Sequence, residues 1–306
     1  MSRAFAHRAA SWLGVNAIAR SLLARRLLVL CYHGVCAQTP DVSDPDGLHI
    51  PVRLFEEQVE WIVRHYRPIS LDQVRHCCQG RAELPRSAVL LTFDDGYRNV
   101  ARHALPLLRR QEVPCVIFPV AGAVESGAWL WTSEVEWQRS STPDFGTLRS
   151  WLKALPVSER RAWLAREFPK REPRALCDYS LAGWNELREA LASGLVAIGS
   201  HGLSHEPLTT CDSGELGDEL GRSRRLISER LKVEVDAVAY PNGDWSSEVV
   251  AVARDVGYRL GFTTAPRHVR ESDDALALPR ILVGRADTPE VLASRLAGWQ
   301  EWLRAG

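Results

Sequence analysis

The sequence predicts an α/β fold, a distorted (β/α) barrel with a helical insertion, on three observations. Short β-rich apolar runs recur with helical stretches between them, as in a mostly parallel sheet or barrel covered by helices. Polar clusters follow directly on several of those runs. The rhythm breaks only from about 123 to 180, a stretch rich in Trp, Arg and Glu. With 306 residues, 45% hydrophobic and 25% charged, and with 21 Gly and 17 Pro, the chain can bury a sizeable core. Wholesale disorder and collagen-like repeats are excluded.

In chain order, residues 1–26 form a basic segment. Residues 1–40 hold five Arg and no acid, and Phe5, Trp12, Leu13, Ile18, Leu22 and Leu23 interleave with the Arg. This reads as an amphipathic helix, lying either on an anionic membrane surface or on the protein body. Leu27 to Cys31 is too short for a secretory signal core. Strand candidates follow at 27–32, 88–93, 114–119, 195–199, 235–240, 259–263 and 278–283, with a short piece near Ile69. A helix over 53–66 places Leu54, Phe55, Val59, Ile62, Val63 and Tyr66 on one face, and one over 213–232 does so with Leu216, Leu220, Ile227 and Leu231. Ser180 is the expected cap of a helix carrying Leu181, Trp184, Leu187 and Leu191 and ending at Gly194. A last helix is expected near Thr288, with Pro289 in its first turn and Leu292, Leu296, Trp299 and Leu303 as its apolar face. Without repeats or a Ser/Gly-rich linker, one elaborated domain spans 27–285, its insertion at about 123–180, and 286–306 closes it as a helix.

Charge and cysteine content narrow the function. The 38 basic and 38 acidic side chains cancel, so no global field points to nucleic acid. No segment has the roughly 18 consecutive apolar residues that span a bilayer. Seven scattered Cys without a CxxC pair read as mostly reduced thiols, which favours a cytoplasmic location.

The chemistry is expected where polar clusters follow strands. Asp94-Asp95-Gly96, His201 to His205, Pro241-Asn242-Gly243 and His33 each sit at a strand's C-terminal end, and in a parallel barrel those ends share one face. Two His four apart with a carboxylate can hold one metal and leave positions open for water. Asp94 and Asp95 cannot comfortably both ionise in a dry pocket, but a cation can neutralise one while the other takes a proton. Each element also has a bland reading: Asp-Asp-Gly is a common surface turn, and His pairs at this spacing arise by chance.

Together, Thr92-Phe93-Asp94-Asp95-Gly96, Ser200-His201-Gly202-Leu203-Ser204-His205 and Tyr240-Pro241-Asn242-Gly243 resemble, in order, the motifs of the polysaccharide deacetylase family. This family is also called the NodB-homology or carbohydrate esterase 4 group, and the resemblance covers roughly 27–285. It implies a distorted (β/α) barrel and metal-dependent removal of N-acetyl groups from a sugar. Asp94 then resembles the catalytic base, and Asp95, His201 and His205 the ligands of a divalent metal, usually zinc. Asn242 stands where a backbone N–H would hold the oxyanion. Two departures are visible: Ala239 replaces the Arg that often opens the third motif, and Leu278-Pro279-Arg280 replaces a late Leu-x-His that supplies the general acid. Cys31-Tyr32-His33-Gly34 resembles an element of the exopolysaccharide-deacetylase branch, in which an N-terminal His serves as that acid, so His33 is the expected acid. Arg280 is expected to hydrogen-bond Asp94 and keep it ionised. Tyr240, Trp129, Trp131 and Trp245 are candidate sugar contacts. The expected substrate is an N-acetylated glycan or a lipid-linked sugar. The rivals are a carbohydrate-binding pseudoenzyme of the same fold and a hydrolase of another amide or ester.

Overall fold

A computed structural model describes residues 15–37, 44–139, 142–168 and 180–298 of the chain. Ten strands are present among the described residues: β1 (Leu28–Tyr32), β2 (Gly34–Cys36), β3 (His49–Pro51), β4 (Arg67–Pro68), β5 (Ala88–Asp95), β6 (Cys115–Pro119), β7 (Val196–Ile198), β8 (Ala237–Ala239), β9 (Leu260–Phe262) and β10 (Ile281–Leu282). The main sheet runs β10-β1-β5-β6-β7 with β4 beside β5, and all its pairings are parallel. A single parallel bridge, Ser200 with Val238, continues the order to the β8-β9 pair, and Phe262 with Leu278 leads on toward β10. Two joins made of bridges rather than ladders are the distortion in this barrel-like arrangement.

The strands are buried on both faces, so alternation sorts their side chains into two layers. Leu28, Leu30 and Tyr32 of β1, with Val89, Leu91 and Phe93 of β5, pack outward against the helices. Leu27, Val29, Leu90, Val116, Phe118, Ala237, Ala239, Phe262 and Leu278 pack inward. The inward parity also contains Cys31 and His33, Thr92 and Asp94, His201, and Arg280. The strand ends therefore deliver these side chains toward a common interior.

The covering helices include Val52–His65 and Ser213–Leu231, close to their expected bounds. Pro289–Leu296 is capped by the Thr288 hydroxyl and buries Leu292 and Leu296; Trp299 and Leu303 lie outside the described residues. Ser180 is not the cap of the helix that follows it. The helix is Trp184–Leu191, and Gly183 stands at its N-cap because Leu181 bridges to Tyr97 and the Ser180 carbonyl accepts from the Arg98 N–H. The expectation missed the parallel β2-β3 pair and the helix Leu71–Cys78, although Ser70 and Gln73 form a capping box there.

The insertion is helical, with Ala121–Ser126, Trp131–Arg139, Phe145–Ala154 and Val157–Glu167. Val135, Phe145, Leu152 and Phe168 give it a small core of its own, against which Trp131, Trp163 and Leu164 pack. In the basic N-terminal segment, Val15–Leu22 is a helix that places the Arg20 guanidinium 5.9 Å from the Trp61 ring, with Ile18 and Leu22 exposed; residues 1–14 lie outside the described residues. No helix among the described residues is long and apolar enough to cross a membrane.

Candidate active site

At the C-terminal ends of β1 and β5 and just beyond β7, Asp94, Asp95, His33, His201 and His205 line one pocket of about 200 Å³. Asp94 arrives by strand alternation. Asp95 would face the other way, but its φ of 69° breaks the alternation, as Asp tolerates better than most residues. Gly96 continues the turn at φ 80°, where a Cβ would lie 2.9 Å from Pro119. The result is a pair of adjacent carboxylates that both face the pocket.

Asp95 is surrounded by imidazoles. Its Oδ1 lies 3.5 Å from His201 Nε2 and 3.3 Å from His205 Nε2, and donor atoms of all three residues fall within 4.8 Å of one another. His201 Nδ1 is 2.7 Å from the Ala239 carbonyl, which can only accept, so Nδ1 carries the proton and Nε2 keeps its lone pair toward Asp95. Burial lowers the His201 pKa to about 4, against the pull of Asp94, which favours the neutral imidazole that a cation requires. The buried Asp95 Oδ1 has no hydrogen-bond partner among the described residues. An orphaned oxygen facing two imidazole nitrogens fits a bound divalent cation, and Asp95, His201 and His205 are the residues that would hold it.

Asp94 is committed differently. Arg280, fully buried, forks onto it: Nη1 donates to Oδ1 and Nη2 to Oδ2, both at 2.7 Å. The fork is held by Arg280 Nη1 donating to Thr92 Oγ1 at 3.1 Å and by Nε donating to the Thr263 carbonyl at 2.9 Å. Burial alone would raise the Asp94 pKa, but the Arg280 guanidinium and then His201 bring it down to about 2. The expected contact between Arg280 and Asp94 is thus present, and it supplies the guanidinium that Ala239 cannot. The Cys31 thiol donates to Asp94 Oδ2 at 3.3 Å, and a His33 ring nitrogen lies within 4.8 Å of the same Cys31–Asp94 group. His33 Nδ1 is buried without a partner among the described residues.

Asn242 lies in the turn Pro241–Gly243 with φ 59° and lines the pocket. Its backbone N–H makes no hydrogen bond to a described residue, and its carbonyl accepts from the Thr264 hydroxyl at 3.2 Å. At Gly243, φ 79°, a Cβ would lie 2.0 Å from Thr264 Oγ1, so only glycine permits this turn.

The aromatic candidates are redistributed. Tyr240 is corrected: alternation along β8 turns it outward into the helix-facing core, where it is fully buried and its hydroxyl donates to the Leu276 carbonyl at 2.7 Å. It has no free surface for a sugar. Trp131 packs on the insertion core under Arg160, and its Nε1 donates to the His205 carbonyl at 3.0 Å. Trp129 is half-buried beside Trp137. Trp245 is half exposed at 49%. None of the four is among the described residues lining the pocket.

Sequence reasoning missed two further groups. From the insertion, Ser133, Glu136 and Lys153 line the pocket; no strand-end pattern marks them. Behind the loop carrying His201 and His205, buried Arg160 donates through Nε and Nη2 to Glu206 Oε2 at 2.9 and 2.5 Å, and through Nη1 to the Leu152 and Leu155 carbonyls. Glu206 directly follows His205, and Arg161 donates to its other oxygen at 2.9 Å. Glu219 accepts from the Leu203 and Ser204 N–H groups at 2.9 Å. The loop that carries the two His is thereby held from both sides.

The sequence profile of the family described as Polysaccharide deacetylase matches residues 81–261. The chain is 22% identical over 289 residues to the poly-beta-1,6-N-acetyl-D-glucosamine N-deacetylase of Escherichia coli K12, covering 85% of this chain but 37% of that protein. It is 20% identical over 258 residues to the protein of the same name from Staphylococcus aureus N315, covering 81% of this chain and 71% of that one. Among solved structures it resembles IcaB from Ammonifex degensii, with a TM-score of 0.62, 23% identity and coverage of 89% of this chain and 97% of that one. It also resembles the Streptococcus pyogenes deacetylase PplD, with a TM-score of 0.65, 18% identity and coverage of 89% and 98%.

Proposed function

The chain belongs to the polysaccharide deacetylase family, and on that premise we propose that it is a metal-dependent hydrolase removing N-acetyl groups from an N-acetylhexosamine-containing glycan or glycolipid. The observation that carries this reading is one pocket holding both the Asp95-His201-His205 triad and the Arg280-paired Asp94. Two imidazoles, one carboxylate and an open side make zinc the cation we assign. When bound, it would supply Lewis acidity toward the acetamide carbonyl and lower the pKa of a water.

Asp94, ionised by Arg280, takes a proton from the attacking water. The Asn242 N–H, which lines the pocket without a partner among the described residues, is the donor we assign to the oxygen that becomes negative as the C–O bond forms. His33 gives the leaving nitrogen its proton as the C–N bond breaks, so one water is consumed and acetate and an amine are released. A cytoplasmic enzyme acting on a lipid-linked sugar is part of the same reading, supported by the six cysteines among the described residues that form no disulfide.

The test is acetate release from N-acetylglucosamine oligomers, with chelator and with zinc restored. Asp94→Asn and His33→Ala should each lower kcat by about 10²–10⁴-fold with the fold intact by circular dichroism. Zinc-loaded protein that binds the oligomers without releasing acetate would establish the binding-only reading.

A further inference from the structure

The pocket has two walls that belong to different parts of the chain. One contains Asp46 and Leu48, from the segment between β2 and β3; the other contains Ser133, Glu136 and Lys153, from the insertion. Asp44 stiffens the first wall by accepting from the Leu48 and His49 N–H groups at 2.9 Å. Ser133 stiffens the second through its hydroxyl, 3.0 Å from the Tyr97 hydroxyl at the end of β5.

Arg149, on the insertion helix Phe145–Ala154, connects the walls. Its guanidinium pairs with Asp46, Nη2 donating to Oδ1 at 3.1 Å, and Nη1 reaches Glu136 at 3.5 Å. The side chains of Arg149 and Asp46 are 25% and 43% exposed, against 3% and 8% for Asp94 and Asp95. Both partners of Arg149 line the pocket, and the strap is closer to solvent than the buried Asp94 and Asp95, which puts it at the rim. An internal unit of a glycan carries neighbours on both sides and needs a channel open at two ends. Here one side is bridged, and the space beneath is about 200 Å³.

We propose that the Asp46–Arg149–Glu136 strap makes this site a pocket for a single N-acetylhexosamine unit, free or at a chain terminus, and not a groove for internal units of a polymer. The proposal rests on the deacetylase reading. The remainder of the substrate, a chain or a lipid carrier, leaves through the unstrapped side.

The experiment uses zinc-loaded full-length protein with β-linked N-acetylglucosamine oligomers from dimer to hexamer, their reducing ends isotopically tagged. A one-unit pocket gives kcat/KM values within about threefold across the series, because added units find no further subsites. Tandem mass spectrometry should then find the free amine at one terminus only. Arg149→Ala, which unties the walls, should spread deacetylation to internal units. Internal deacetylation by the wild type, or kcat/KM rising about tenfold or more with length, overturns the proposal. Failure of the deacetylase reading would show separately, as no acetate from any oligomer. Binding then decides: equal affinity for dimer and hexamer supports the pocket, and a hexamer bound about tenfold tighter or more overturns it.

Discussion

Two fully buried arginines flank the site, and they do different work. Arg280 comes from the barrel floor, just before β10, and forks onto Asp94, the carboxylate assigned to the chemistry. Arg160 comes from the insertion and forks onto Glu206, which touches no reacting atom but follows a metal-ligand candidate. A guanidinium on a reacting carboxylate sets that group's charge. One on a neighbouring loop residue sets the position of ligands. Floor and wall thus divide the labour: the strand side sets the charge of a pocket carboxylate, while the insertion holds the histidine loop.

The sharpest way to break this division is Arg280→Met. Asp94 would stay buried without its partner, which costs about 3–5 kcal/mol of stability. Burial would then act on Asp94 with only His201 and His33 opposing it, so the acid limb of the kcat profile should move to higher pH. The sign follows from linkage. Asp94 sits at about 2 in the folded protein against an ordinary 3.8, so its stabilisation is full above about 3.8 and is lost as pH falls through about 2. In the variant, that acid-range loss should disappear from urea-melt stabilities. An unchanged acid limb would show that Arg280 is not the group keeping Asp94 ionised.

Arg160→Met addresses the other half. It should weaken zinc affinity about 10–100-fold by competition with a chromophoric chelator, as loss of supporting groups behind metal ligands does. The kcat of the zinc-saturated variant should keep its pH profile. Arg160→Lys restores the charge but not the fork, so it should recover only part of the affinity. Equal affinities in wild type and Arg160→Met would remove the insertion from metal binding.

The smallest effect is expected at the rim. Burial, followed by the neighbouring Asp46 charge, pushes Glu136 up to about 7 against the pull of Arg149, so its neutral form is favoured in the fold. Between about 4.5 and about 7 the folded chain then binds more protons than the unfolded one, and stability falls as pH rises. Glu136→Gln should flatten the fall of Tm over that range and leave Tm nearly unchanged below it. A wild-type Tm that rises over the same range would place the Glu136 charge in a stabilising environment instead.

What could be read from the sequence follows the periodicity of strands. A side chain at a strand's C-terminal end can be placed from local pattern alone, so Asp94, His33 and His201 were legible and meet in one pocket, with the buried Arg280 paired to Asp94. Alternation also held information that residue identity obscured. Ala237 and Ala239 face inward, so Tyr240 had to face out, yet its place in the Tyr-Pro-Asn-Gly motif suggested a substrate contact. Trp131 misled in the same way, since an aromatic in a polar insertion is as readily a core residue as a sugar platform.

By itself, the sequence determined the parallel α/β plan and the polar clusters at its strand ends, because strand period, turn residues and motif spacing are local properties of the chain. The tertiary structure alone decided how Arg160 and Trp131 hold the histidine loop and that Arg149 ties the insertion to Asp46. Those contacts join residues 46 to 103 positions apart across separate elements, and no local pattern encodes where two such elements dock. Their partners are chosen by packing and by the need of each buried charge for an opposite one.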